Sequence, residues 1–348
     1  MRNIREFFIR YRRHLPTLAL ITGFVWDNFT LGRPDSLFDN AVMLFYLTLA
    51  GVGIILIQRG SRIHTSPRVW KLVLVQFAFG NLLSGLFVLY STSGTLVGSW
   101  PFLLLIFALL IGNEFLKERY ALLRFQISVF YLALFTYFAL VFPIIFGKIG
   151  ADIFLVSGFA SITLIIALLY VLKLKSPKGR TEMYGIVIGI FTLMNVLYFL
   201  NVVPPVPLAM RDIGIFHSVE RTENGYLVTD EYRKWYEIAR AVRPVFQFTE
   251  GEKAYCFSAV FAPAKLNTPI YHNWEYYDEE DRAWKSTGLT SYTISGGRDQ
   301  GFRGFTVKTV EKGLWRCSVE TERGALIGRA TFEAIPVTEE PQLLVEER

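Results

Sequence analysis

A chain of 348 residues, 52% of them hydrophobic and with a mean hydropathy of +0.35, is too apolar for an ordinary soluble enzyme. Its net charge of +6 is unevenly placed: residues 1–203 carry 18 Lys and Arg against 8 Asp and Glu, and residues 204–348 carry 18 against 22. The less apolar half is therefore mildly acidic, which argues against a nucleic-acid binder, whose positive charge would concentrate on a soluble face.

A basic N-terminus, residues 1–14, precedes a string of apolar stretches that ends at Val203. Each is about 18–23 residues long, the length a helix needs to cross a bilayer. Spans are predicted near 15–32, 38–57, 69–91, 96–116, 125–146, 152–172 and 183–203, so that 15–203 forms a seven-helix transmembrane domain. Backbone polar groups in lipid must be satisfied within the segment, and helices of this length do so. A cleaved signal peptide is the rival reading of residues 1–30, but Trp26-Asp27-Asn28-Phe29-Thr30 offers no small-x-small cleavage site, and an uncleaved first helix is preferred.

Orientation follows from the connections. Arg2, Arg5, Arg10, Arg12 and Arg13 precede the first span, and Arg59, Arg62, Arg68 and Lys71 lie around the second connection. Lys117, Arg119 and Arg124 occupy the fourth, and Lys173, Lys175, Lys178 and Arg180 the sixth. That is 16 cations on one side, against only Arg33 and Lys148 in the alternate connections. The positive-inside rule then places the N-terminus in the cytoplasm. Seven crossings put residues 204–348 on the extracytoplasmic, periplasmic side of a cytoplasmic (inner) membrane, with the lipid bilayer as the first partner.

Ionisable residues are sparse inside the spans. Asp27, Asp39, Glu114 and Asp152 sit at span ends, where a carboxylate reaches water. Asn81 and Asn195 lie deeper and are expected to hydrogen-bond between helices. Small residues four apart, Gly80/Ser84, Ser157/Ser161 and Gly185/Gly189, would let helix backbones approach closely.

Residues 204–244 read as a juxtamembrane segment. Pro204-Pro205-Val206-Pro207 cannot continue a helix. A hairpin follows, 213–219 and 226–229, turned by Asn224-Gly225, because both central residues of such a turn need positive φ. Residues 230–243 have helical periodicity with an acidic start and a basic end. Residues 245–336 read as seven short strands, near 245–248, 252–261, 269–277, 284–294, 302–309, 313–321 and 325–334, with 337–348 a tail. In 313–321, Trp315, Cys317 and Val319 alternate with Arg316, Ser318 and Glu320. Seven strands in about ninety residues predict an all-β sandwich of immunoglobulin-like size. The fold class is an α-helical integral membrane bundle plus this C-terminal β domain.

Cys256 and Cys317 are the only cysteines and both lie in the β domain, where on an oxidising side a disulfide can form. Cys317 points inward by alternation, whereas Phe257 and Phe261 compete with Cys256 for the inner face, so bridged and free thiols both stay open. His217 and His272 are the outer histidines, and neither sits at zinc-ligand spacing from a cysteine. No cofactor is implied. The run Asp278-Glu279-Glu280-Asp281 reads as a solvated turn, without the spaced ligands of a calcium loop.

Tyr255-Cys256-Phe257, Tyr271-His272-Asn273-Trp274, the stretches 301–308 and 313–320, and Gly328 to Phe332 together resemble the bacterial domain of unknown function 2914. The resemblance covers about the last third of the chain and implies a small secreted or membrane-tethered β domain; it implies no activity. On the residues themselves, His272 and Trp274 share one strand face, and Arg303 shares a face with Phe305 and Val307. One reading is a shallow binding site, with Trp274 as a stacking platform and Arg303 and Lys308 contacting an anion. The other, which is the default for such sandwiches, makes Trp274 and Trp315 core tryptophans with His272 and Arg303 satisfied at the edge.

No nucleophile elbow, H-E-x-x-H helix, Walker loop or dinucleotide fingerprint occurs, so no catalytic residue is assigned. The expected function is a non-catalytic cell-envelope membrane protein. Its β domain would bind a ligand, an envelope protein or a glycan, with the bundle as anchor and relay. The alternative is a membrane transporter or membrane-embedded enzyme with an accessory β domain.

Overall fold

The computed structural model describes residues 24–25, 27, 29–59, 67–93, 96–115, 119, 122–174, 176–223, 225–232, 244–263, 266–297, 300–339 and 341–348. The chain divides into two compact units, residues 1–92 with 99–207 and residues 208–348 with the short segment 93–98.

The first unit is helical: α1 (Leu37–Arg59), α2 (Pro67–Ser91), α3 (Leu96–Phe115), α4 (Leu123–Phe146), α5 (Ala151–Leu172) and α6 (Pro177–Phe199). Five of these, all but α3, are long and apolar enough to cross a membrane, and α3 is apolar over Gly98–Asn113. Most of the predicted first span lies outside the described residues, although Phe24, Val25, Asp27, Phe29 and Thr30 are helical. Local chemistry sets several ends. Ser176 accepts a hydrogen bond from the Gly179 amide with Pro177 following it, an N-cap with proline at the first helical position. Gly147, at φ 65°, closes α4 by donating its amide to Pro143 O.

Polar contacts fix which helix ends lie together. Arg59 Nη2 donates to Val171 O at 3.0 Å, Lys71 Nζ to Leu56 O at 3.4 Å, and Arg124 Nη1 to Glu182 Oε1 at 2.7 Å. The C-termini of α1 and α5 and the N-termini of α2, α4 and α6 therefore share one end of the bundle. Inside, Tyr90, Tyr131, Tyr137, Phe79, Phe102 and Phe135 are fully buried among leucines.

Several sequence expectations change here. Asn81 and Asn195 donate to carbonyls one turn back on their own helices, Phe77 and Phe191, instead of bridging helices. Interhelical polar contacts within the bundle include Gln76 with Asn113, Gln58 with Gln126, Tyr90 OH to Thr136 O and Tyr137 OH to Asn40. Ser157 and Ser161 are buried, but a Cβ on Gly185 or Gly189 would meet nothing, so that pair faces outward in this unit. Close approach occurs at Gly80, where a Cβ would meet Asn113 Nδ2 at 2.8 Å, and at Gly158, where one would come within 2.9 Å of the Phe135 and Phe191 rings. Asp27, expected at water, is buried at 7% exposure.

Among the described residues the second unit holds eleven strands: β1 (Ala209–Phe216), β2 (Ser218–Arg221), β3 (Tyr226–Glu231), β4 (Val245–Phe248), β5 (Lys253–Phe261), β6 (Asn267–Asp278), β7 (Ala283–Ser295), β8 (Phe302–Thr309), β9 (Gly313–Thr321), β10 (Leu326–Pro336) and β11 (Leu343–Glu347). They form sheets of order β1-β5-β8, β4-β10-β9-β6-β7 and β11-β3-β2. All pairings are antiparallel except β4 with β10.

Alternation builds the core between the first two sheets. Ala254 and Cys256 of β5 meet Trp274, Trp315, Cys317, Phe332 and Ala334 of the five-stranded sheet, with Phe246 of β4. Cys256 and Cys317 are joined as a disulfide across this core. Phe257 and Ala259 face the other way, yet they are buried as well, because Phe216, Val219 and Val228 cover them. The competition between Cys256 and Phe257 for the inside thus has a physical answer: this strand is covered on both faces.

The seven strands read from 245–336 are present, and the segments on either side of them are strands too. β1 pairs with β5, the hairpin of β2 and β3 pairs with β11, and the stretch read as a tail contributes Leu343–Glu347. Asp230 and Glu231, taken as the start of a helix, end β3, and the rest of that predicted helix, 233–243, lies outside the described residues.

Candidate functional site

Strand β6 brings His272, Trp274 and Tyr276 onto one face at two-residue spacing. The first two are closed off. His272 is 0% and Trp274 1% exposed. Trp274 Nε1 donates to Thr306 Oγ1 at 2.9 Å, and His272 Nδ1 lies 3.0 Å from the same oxygen. His272 Nε2 is 2.8 Å from Ser258 Oγ and 3.2 Å from Tyr292 OH, themselves 2.6 Å apart. Thr306 accepts the indole proton and can give its own to Nδ1, which leaves the imidazole proton on Nε2 toward Ser258 and Tyr292. Burial among neutral hydroxyls drives the His272 pKa down to about 4.

This network holds His272 close to both cysteines: the ligand atoms of Cys256, His272 and Cys317 lie within 4.8 Å of one another. Linear spacing did not suggest that gathering. The two sulfurs are bonded to each other and both ring nitrogens are hydrogen-bonded, so in this state the set has no free donor pair.

Arg303 and Lys308 are not brought together. They are five residues apart on β8, an odd spacing that sends them to opposite faces. Arg303 lies on the face of Phe305 and Val307, hydrogen-bonded to Gln300, and its carbonyl accepts from Tyr226 OH at 3.4 Å. Lys308 lies on the face of Thr306. Its Nζ donates to Thr287 O at 2.6 Å.

Lys308 borders a cleft of about 600 Å³ lined by Tyr276, Thr287, Val307, Thr309, Glu311 and Trp315. Three features shape it. Thr287 is the extra residue of a bulge in β7, since Trp274 pairs with Gly288 and Glu275 with Ser286. The Tyr276 and Trp315 rings meet at 5.1 Å, and Trp315 Nε1 is anchored on Glu311 O at 2.8 Å. Gly313 has φ 141°, and a Cβ there would come within 2.7 Å of the Tyr276 ring, so glycine lets that ring lie against the backbone. The result is a concave surface with aromatic walls, threonine hydroxyls, one ammonium and one carboxylate. Of the four binding residues read from sequence, only Lys308 lines it. Tyr276, Thr287 and Trp315 were not anticipated, although Tyr276 continues the His272–Trp274 alternation and Gly288 inside a strand signals a bulge.

A second titratable cluster lies elsewhere in the unit. His217 Nδ1 is 2.5 Å from Glu252 Oε1, its Nε2 is 3.5 Å from Glu231 Oε1, and its ring stacks on Phe246 at 4.4 Å. Burial presses its pKa down, but the two carboxylates outweigh burial and the net shift is upward. On the outer face of the five-stranded sheet, Glu275 accepts from Arg316 at 2.6 and 2.7 Å and from Ser318 at 3.0 Å. Burial raises the Glu275 pKa, and the Arg316 pair more than reverses that. The acidic run forms a turn held by Lys285, whose Nζ is 2.6 Å from both Asp278 and Asp281.

Residues 267–334 match a family model described as a protein of unknown function (DUF2914). The matched stretch contains every residue lining the cleft. No curated protein matches the chain. Among solved structures it is similar to the Pseudomonas fluorescens alkylpurine DNA glycosylase AlkC bound to DNA containing an abasic site analog, at 11% identity over 87% of this chain and 100% of that one, with a TM-score of 0.23. A similarity at that level carries no information on fold or activity.

Proposed function

We propose that the chain is a non-catalytic cell-envelope membrane protein whose β domain binds a glycan carrying an anionic group in the cleft of Tyr276, Lys308 and Trp315, with the helical bundle as its anchor and relay. The observation that carries this reading is the cleft itself. Lys308 spends one of its three protons on Thr287 O, leaving two for a carboxylate or phosphate. Tyr276 offers an apolar ring face, and Thr287 and Thr309 offer hydroxyls at its rim. A charged hydrogen bond of this kind is worth about 1.5–3 kcal/mol, so Lys308→Gln is expected to weaken binding by about tenfold or more. Calorimetric titration of the full chain with an acidic oligosaccharide and its neutral counterpart checks this. Equal binding by wild type and Lys308→Gln would remove the cleft from the account.

The β domain is read as an immunoglobulin-like sandwich, on three supports. The five-stranded order ends in β10-β9-β6-β7, with a disulfide linking β5 to β9 across the two sheets. Trp274 lies buried on β6 in the same core. We read the bundle as seven spans in the cytoplasmic membrane, with the N-terminus inside and the β domain extracytoplasmic. The 16-to-2 cation split and the disulfide both favour that orientation. Alkaline phosphatase fused after Arg348 should then be active, and an inactive fusion would overturn the topology.

A further inference from the structure

The end of the bundle where α5 turns into α6 carries a second cavity, of about 250 Å³, distinct from the cleft. Its lining is graded. Leu169 and Met183 are buried at 5% and 3% exposure and form an apolar floor. Tyr170 and Tyr184, at 81% and 45%, stand as aromatic walls. Lys173 and Arg180 are exposed at the rim, and neither side chain has a hydrogen-bond or ion-pair partner among the described residues. The spacing accounts for the convergence: Arg180, Met183 and Tyr184 at i, i+3 and i+4 share one face of α6, and Leu169 and Lys173 at i and i+4 share one face of α5. The nearest carboxylate on α6, Glu182, is paired with Arg124.

From this arrangement we infer that the α5–α6 hairpin holds an anionic phospholipid, its headgroup phosphate between Lys173 and Arg180 and the start of an acyl chain over Leu169 and Met183. Two unpaired cations above an apolar floor, at the mouth of two helices that are apolar and long enough to span, match the two halves of such a lipid. Tyrosines at the flanks suit the headgroup level of a bilayer. Lys173 gains further from its place, because it ends α5 in the left-handed conformation, φ 49°, beside the negative end of that helix. A purely topogenic role for these cations would need neither the floor nor the aromatic walls. The inference is independent of what the β domain binds.

The test is lipid retention by the full chain in nanodiscs, read by native mass spectrometry. Phosphatidylcholine discs with and without phosphatidylglycerol are compared, and inorganic phosphate is added as a competitor. Wild type should retain phosphatidylglycerol in preference to phosphatidylcholine and should keep it in millimolar phosphate. Each cation near an anionic headgroup is worth about fivefold, so Lys173→Gln and Arg180→Gln should each weaken retention by that factor and the pair by roughly 30-fold. Lys178→Gln, an exposed cation outside the cavity, should change it less than about twofold. Equal loss from Lys178→Gln and the two rim variants would reduce the site to diffuse surface charge and overturn the proposal. Displacement by inorganic phosphate would overturn it in favour of a free-phosphate site. The single variants keep the question answerable if the double variant fails to insert.

Discussion

One strand, β6, has two fates along its length, and the contrast separates a closed core from the proposed binding cleft. At His272 and Trp274 the facing strand β8 presents Thr306, the hydroxyls satisfy every polar atom, and the space is closed. Two residues further on, at Tyr276, β8 presents Lys308 and β7 bulges at Thr287, and the two sheets part into a cleft. The pattern of alternation is identical at both places. What differs is the residue opposite, small and hydroxylated in one case, long and cationic in the other. A long charged side chain cannot be buried without a partner, so it holds the sheet edges open to water.

That contrast can be broken most strongly at its closed end. Trp274→Ala removes a fully buried indole and the hydrogen bond it donates to Thr306, and a loss of about 3–5 kcal/mol is expected, enough to unfold a marginal domain. A thermal melt of the full chain reads it. A near-native melt would mean that the closed end is not structural. Lys308→Gln, at the open end, should leave the melt within about 0.5 kcal/mol.

The two buried histidines sharpen the comparison with opposite signs. His272 has a folded pKa of about 4, below its unfolded value of about 6.5. The unfolded chain therefore binds the extra proton between those values, and stability is lost as pH falls through that window, by roughly 3 kcal/mol. His217 has its pKa raised by Glu231 and Glu252 despite burial, so its contribution is full below the unfolded value and is lost as pH rises through the folded one. Melts between pH 4.5 and 8.5 should show His217→Gln flattening the alkaline limb. His272→Gln should reduce the acid limb in this range, because Glu252 and Glu275, both lowered, lose their contribution only below the ordinary carboxylate pKa. The same limb changing in both variants would contradict the assignment of partners.

Much of the β domain was legible in sequence because turn chemistry is local. The boundaries 245–248 and 313–321 match β4 and β9 residue for residue. What stayed hidden was pairing at a distance. β1 pairs with β5 and β11 with β3, and neither segment shows a partner in its own residues; β11 in particular, Leu343-Leu344-Val345-Glu346-Glu347, has no alternation to mark a buried face. The third sheet also explains why Phe257 confused the inward face of β5. In the site, shared faces were readable from spacing, which correctly grouped His272 with Trp274. The same rule separates Arg303 from Lys308, and the bulge at Thr287, which completes the cleft, depends on a register shift that only the paired strands reveal. In the bundle, length and hydropathy marked the helices, but which glycines face a neighbour depended on the packing of Phe135 and Phe191 against Gly158.

Binding is assigned to the cleft beside Lys308 and not to the surface around Arg303, which does not line it. Titrating one acidic oligosaccharide into wild type, Lys308→Gln and Arg303→Gln full-length chains separates the two directly. The account predicts affinity lowered by about tenfold or more in Lys308→Gln and unchanged in Arg303→Gln, with all three melts alike. Loss of binding in Arg303→Gln with Lys308→Gln unaffected would contradict it and move the site out of the cleft to the surface around Arg303.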